Sequence, residues 1–152
     1  MNARLNPYKV APSLMKAMEA MEAAVKASGL EGSLIELVKI RASQINGCAY
    51  CINMHTSDAR AKGETEQRIY LLDAWHESSL YTPRERSALA WTEALTLVAS
   101  SRVPDSVYET AREQFSEEDL VKLTLLVTTI NAWNRIAIAF RIPHAVKAAV
   151  AA

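Results

Sequence analysis

Residues Glu36 to His55 read ELVKIRASQINGCAYCINMH, and this stretch decides how the rest of the chain is read. The apolar spacing before Asn46 fits a helix from Ser33 to Ile45. Asn46-Gly47 then interrupts the pattern, and a new helix is predicted to begin there and run through Cys48, Cys51 and His55 to a cap at Gly63. The two cysteines therefore fall in a helical first turn. At about 3.6 residues per turn, Cys48, Cys51 and His55 share an arc of roughly 60° on one face.

Outward from this stretch, the other segments carry the same period. Four glycines and five prolines lie between helical segments, and no alternating strand pattern appears, so the predicted fold is all-α. A helix after Pro12 places Leu14, Met18, Met21 and Val25 on one stripe, closed by Ser28-Gly29. A short helix covers Glu64 to Leu72, and Trp75 to Tyr81 reads as a connecting loop. Thr82-Pro83-Arg84-Glu85 has capping-box spacing with proline at the first helical position, and its helix is expected to reach Ala99. Pro104 opens another short helix. Ser116 and the acidic run Glu117 to Asp119 cap a long one ending before Pro143, with Leu120, Leu123, Val127 and Ile130 on its buried face. Val121, Leu125, Trp133 and Phe140 add apolar residues elsewhere on that helix, which points to oligomerisation. The alanine-rich tail after Pro143 is expected to be loosely held.

Composition sets the bounds. A chain of 152 residues suits one domain spanning 1–152, and 50% hydrophobic against 22% charged residues supports a packed interior. Seventeen basic residues balance seventeen acidic ones, which nominates neither nucleic acid nor an anionic membrane as partner. The opening MNARLNPYKVAP has no apolar leader core, and no uninterrupted apolar run approaches the length of a membrane span, so a cytoplasmic location is expected. In a reducing compartment a cysteine pair is seldom a structural staple, and its spacing asks for chemistry.

That chemistry follows from position. Cysteines three apart on a helix can reach disulfide geometry, and His55, four residues past Cys51, can exchange a proton with its sulfur. Unpaired N–H groups at a helix start favour thiolate over thiol, and the thiolate is the nucleophile. Attack on a peroxide would leave a sulfenic acid on one cysteine for the other to trap as a disulfide. Three other readings compete. The cysteines could be inert packing residues, or Cys48, Cys51 and His55 could bind zinc with Glu36, Asp58 or water as the fourth ligand. Alternatively the pair could serve as a non-enzymatic redox sensor. Glu36 could also simply complete a capping box begun by Ser33, and Asp58 could orient the imidazole locally. Tyr50 projects away from Cys51 and reads as packing; His76 and His144 read as surface residues. Trp91, Trp133 and the run Asn131 to Arg135 read as core and subunit contacts, with Glu36 among the partners Asn131, Asn134 and Arg135 could take. Neither a cofactor nor a metal is expected.

The stretch Glu36 to His55 closely resembles the AhpD-like alkylhydroperoxidase group of the carboxymuconolactone decarboxylase superfamily. RLNPYK at Arg4–Lys9, TPRERSALAWTEALT at Thr82–Thr96 and INAWNRIAIAFRIP at Ile130–Pro143 extend the resemblance along nearly the whole chain. The resemblance implies a helical bundle of six to seven helices, with the CxxC opening the third, assembled as a trimer or hexamer. It implies reduction of alkyl hydroperoxides, with regeneration by a lipoyl-type or other dithiol reductant. By the family pattern Cys51 is the peroxidatic cysteine, Cys48 resolves it, and Glu36 and His55 form a proton relay. By analogy with thioredoxin-type sites, a more exposed Cys48 would attack first instead. This chain departs from the best-known peroxidases at Tyr50, where they carry a second histidine. The superfamily's decarboxylases lack the cysteine pair, which argues against lactone decarboxylation.

Overall fold

In the structure, a computed structural model describing residues 2–145, every regular element is helical. Most of the alanine-rich tail lies outside the described residues. Asn6, whose side chain accepts from the backbone of Tyr8 and Lys9, caps a single turn, α1 (Pro7–Val10), ahead of α2 (Pro12–Lys26). Then come α3 (Gly32–Asn46) and α4 (Ala49–Ala61), followed by α5 (Glu66–Leu71), which tightens into a 3-10 turn at Leu72–Ala74. The expected capping box opens α6 (Pro83–Thr96). The chain ends with α7 (Val98–Ser101), α8 (Asp105–Gln114) and α9 (Glu117–Phe140). The described residues thus form nine α-helices, more than the six or seven expected, and the cysteines open the fourth rather than the third. The surplus comes from two four-residue turns, α1 and α7, too short to leave a periodic signal. The second of these replaces the expected continuation of α6 to Ala99, because the chain breaks at Leu97.

Helix α3 is the central element, packed against α4, α6 and α9. Covered on every side, it buries nearly all of Leu34 to Ala42, including the charged residues Glu36 and Lys39. Val25, Leu34, Val38, Trp91 and Leu123 belong to the largest core cluster, while Leu37, Ile40, Trp75 and Leu89 belong to a second. The third, built from Ala42, Cys48, Cys51, Ile130 and Ala137, contains the cysteine pair. Helix α9 has the length and apolar composition of a membrane span, but Leu120, Leu123, Val127 and Ile130 are buried within this bundle as the sequence predicts. Val121 and Leu125 remain exposed.

The expected stripe on α2 is rotated. Leu14 and Met21 are exposed, whereas Met15 and Val25 are buried and Met18 and Glu22 partly so. The face turned inward, at spacings of three, four and three residues, contains a carboxylate that a purely apolar reading of the periodicity passes over.

Candidate functional site

The site begins with the turn between α3 and α4. Gly47 adopts φ 70°, and the Gly47 and Cys48 amides donate to the carbonyls of Gln44 and Ser43 at 3.1 and 3.0 Å. This left-handed closure suits glycine and satisfies the end of α3. Cys48 then serves as N-cap of α4, its sulfur accepting from the Cys51 amide at 3.4 Å. A buried amide network fixes the turn from the far side. Asn46 Nδ2 donates to the side-chain oxygens of Asn131 at 2.9 Å and Asn134 at 2.8 Å, while Asn134 Nδ2 donates to Ser43 Oγ at 3.0 Å. Asn131 also donates to Thr96 Oγ1, and Arg135 bonds back to Asn131. The partners expected for Asn131, Asn134 and Arg135 are therefore neighbouring side chains, and Glu36 is not among them.

Cys48 and Cys51 are joined as a disulfide, with their Cα atoms 5.4 Å apart. Their exposures, 1% and 2%, leave no basis for choosing Cys48 as the more accessible sulfur. What separates them is the space they face. Cys51 and His55 line a cavity of about 260 Å³ whose largely apolar wall includes Tyr50, Ile130 and Trp133, with Tyr8 of α1 also on it; Cys48 is not part of the lining. Tyr50 is packed against the third cluster, as its predicted position suggested, and shapes this cavity as well. Burial, then the charges of Glu19 and Tyr50, push the Tyr8 phenol up, so it remains a proton donor there at neutral pH.

Glu36 and His55 meet across the hairpin, with Oε2 2.9 Å from Nδ1 and both side chains buried. Helix α3 starts at Gly32 with no side-chain cap at Glu31, so Glu36 is not consumed in a capping box. Its Oε1 accepts from Lys62 at 2.6 Å. Burial alone would raise the Glu36 carboxyl, but hydrogen bonds from His55 and Lys62, reinforced by their charges, lower it to about 2. An ionised carboxylate only accepts, so His55 Nδ1 carries the hydrogen and Nε2 is the nitrogen free to exchange a proton. Glu36, rather than Asp58, therefore orients the imidazole. The ligand atoms of Glu36, His55 and Asp58 lie within 4.8 Å of one another, although the Lys62 ammonium competes with any cation for Glu36. His76 is on the surface, held to Glu93 and stacked on Trp75, and His144 is exposed.

Sequence reasoning named the cysteines, His55 and Glu36 but missed Tyr8 and Glu22 as members of the cavity wall and assigned Trp133 to packing. Tyr8 lies in the quoted RLNPYK, yet nothing in local spacing brings α1 to α4. That proximity is tertiary.

Residues 12–94 match the Carboxymuconolactone decarboxylase family. YdfG, an uncharacterized protein of Bacillus subtilis (strain 168), is 52% identical over 139 residues, covering 91% of this chain and 95% of its own. A solved structure from Agrobacterium tumefaciens is that of a protein of unknown function for which the role of antioxidant defence protein AhpD has been suggested. It superposes with a TM-score of 0.94 at 46% identity, over 96% of this chain and 100% of that one. The debrominase Bmp8, at 18% identity and a TM-score of 0.75 over 90% of this chain and 73% of its own, shares the fold alone. One fold thus hosts more than one chemistry, and the site must decide among them. With the family match spanning the cysteine hairpin and a near-full-length relative at half identity, this chain belongs to the carboxymuconolactone decarboxylase family as one of its AhpD-like members.

Proposed function

We propose that this protein is a thiol-dependent peroxidase and disulfide oxidoreductase that reduces organic hydroperoxides. The observation that carries the reading is the cavity in which Cys51 and His55 share a wall, with His55 oriented from behind by Glu36. In the reduced protein, His55 Nε2 takes the Cys51 proton. The thiolate attacks the terminal oxygen of ROOH, the O–O bond breaks, and its electron pair departs as alkoxide while Cys51 becomes a sulfenic acid. The imidazolium returns its proton to the alkoxide, giving ROH. The Cys48 thiol then attacks the Cys51 sulfur, releasing water and forming the disulfide. A dithiol of the lipoyl class reduces that disulfide by exchange and is itself oxidised. Loss of the histidine that better-known peroxidases carry at the Tyr50 position affects proton transfer more than disulfide exchange.

The same reading assigns the protein to the cytoplasm and to a homo-oligomer, a trimer or hexamer. Exposed Val121, Leu125 and Ile138 on α9 support assembly. Intact-mass analysis and hydroperoxide consumption with dihydrolipoamide test the chemistry. Wild type consumes peroxide in multiples of its own concentration; Cys51→Ser abolishes this, and Cys48→Ser accumulates a sulfenic acid. A single oxidation per chain without turnover would favour a redox sensor instead, and full turnover by Cys51→Ser would overturn the nucleophile assignment.

A further inference from the structure

Lys39 is fully buried, and its ammonium meets the Glu22 carboxylate of α2 in direct ionic contact. Glu22 lines the same cavity as Cys51 and His55, whereas Lys39 does not reach that wall and stands behind it. Only one carboxylate oxygen is used by this lysine: Glu22 Oε2 is buried without a hydrogen-bond partner among the described residues. An ion pair in a helix interface is seldom a net gain over well-packed apolar residues, so its presence beside a reactive cavity asks for a use.

His55 supplies one. Its Nδ1 is already engaged by Glu36, and the nitrogen that exchanges protons is on the other side of the ring. We infer that Glu22 is a second carboxylate of the thiol site: with Glu36 it stabilises the positive charge that His55 acquires on taking the Cys51 proton, so that the imidazolium can protonate the alkoxide released when Cys51 attacks a hydroperoxide. Glu22 acts through His55 and is a positioning residue. The inference rests on the peroxidase reading.

The surrounding charges are consistent with this arrangement. From α3, Lys39 faces Glu22 and Glu36 faces His55; from the residue that caps the end of α4, Lys62 pairs with Glu36, with Asp58 of α4 nearby. From α2, Lys26 lies 3.5 Å from Glu22, and Glu19 shares the cavity wall. Tyr8 of α1 and Tyr50 with Cys51 of α4 complete the titratable lining, while α9 contributes only apolar Ile130, Trp133 and Ala137. Burial would push the Glu22 carboxyl up, but the Lys39 hydrogen bond and the charges of Lys39, Lys26 and His55 lower it, so the group is ionised when His55 works.

Two readouts on the reduced full-length protein separate this role from a structural one. Alkylation of Cys51 by iodoacetamide requires only a thiolate, whereas reduction of cumene hydroperoxide also requires the imidazolium acid. Removing a negative charge makes every nearby proton leave more readily. Glu22→Gln therefore shifts the alkylation midpoint down by about one pH unit, while hydroperoxide reduction on the alkaline side falls about ten-fold. Because this variant leaves Lys39 unpaired, the double variant Glu22→Gln/Lys39→Met is measured alongside, with a smaller shift of the same sign. An unchanged midpoint in both variants, or equal losses of alkylation and peroxide reduction, would overturn the inference. If wild type alkylates normally yet consumes no hydroperoxide, the peroxidase reading itself fails, and with it the acid role, while the midpoints still report whether Glu22 is coupled to the site.

Discussion

Two carboxylate–lysine pairs flank the thiol site, alike in chemistry and opposite in setting. Glu36 is paired with Lys62, whose side chain is 52% exposed, whereas Glu22 is paired with Lys39, whose side chain is 0% exposed. Lys62 can exchange its partner for water at modest cost. Lys39 cannot, because α3 is covered on every side. The same kind of ion pair is thus an exchangeable, water-facing contact on one side of the site and a contact that water cannot replace on the other. In neither case does the sign of the charge alone predict its weight.

The largest expected effect comes from the buried pair. Lys39→Met leaves Glu22 with only the half-exposed Lys26 and should cost about 3 to 5 kcal/mol of stability. Urea denaturation at neutral pH checks it, and the loss should persist in high salt because a buried pair is little screened. A loss below 1 kcal/mol would show that the lysine's setting is immaterial. Next in size is the acid limb of wild-type stability. The Glu36 carboxyl has an ordinary value of 4.5 and is lowered to about 2 in the fold, so its contribution is fully present above 4.5 and disappears as pH falls through 2. That linkage is worth about 3 kcal/mol. Glu22 shifts in the same direction and steepens the same limb. Glu36→Gln should flatten it, as followed by thermal unfolding across this acid range.

The contrast between the pairs also explains what could be read in advance. Glu36 was legible through the family resemblance, which set a relay role above a capping box begun by Ser33, and the Asn46-Gly47 turn that folds α3 back along α4 supplies the physical reason. The capping box at Thr82 and the start of α9 at Ser116 were legible locally, since their signals are complete within four residues. Glu22 was not. It sits on a helix whose apolar residues occur on more than one face, and only docking against α9, with the Glu22–Lys39 contact to α3, selects the face bearing Met15, Glu22 and Val25 over the one bearing Leu14 and Met21. The one-turn helices at Pro7 and Val98 escaped for a different reason: their hydrogen bonds are closed by local caps and tertiary support, and no period develops over four residues. Local chemistry revealed the cysteine pair, while the cavity beside it depends on α1, α2, α4 and α9 brought together by packing.

The smallest effect is expected at the exposed lysine. Lys62→Met should lower stability by only about 0.5 to 1 kcal/mol, because water reaches the Lys62 side and His55 still holds the other oxygen of Glu36. Its signature lies elsewhere. Lys62 is one of the groups that lower the Glu36 carboxyl, so its removal should move the acid limb of unfolding to higher pH. Added salt should have the same direction of effect on wild type by screening the exposed ammonium, and should change the variant less. Urea and acid titrations of both proteins at low and high ionic strength test this directly. A Lys62→Met loss equal to that of Lys39→Met, or an acid limb that does not move, would mean that exposure does not separate the two pairs and that the lysine on each side is held for the same reason.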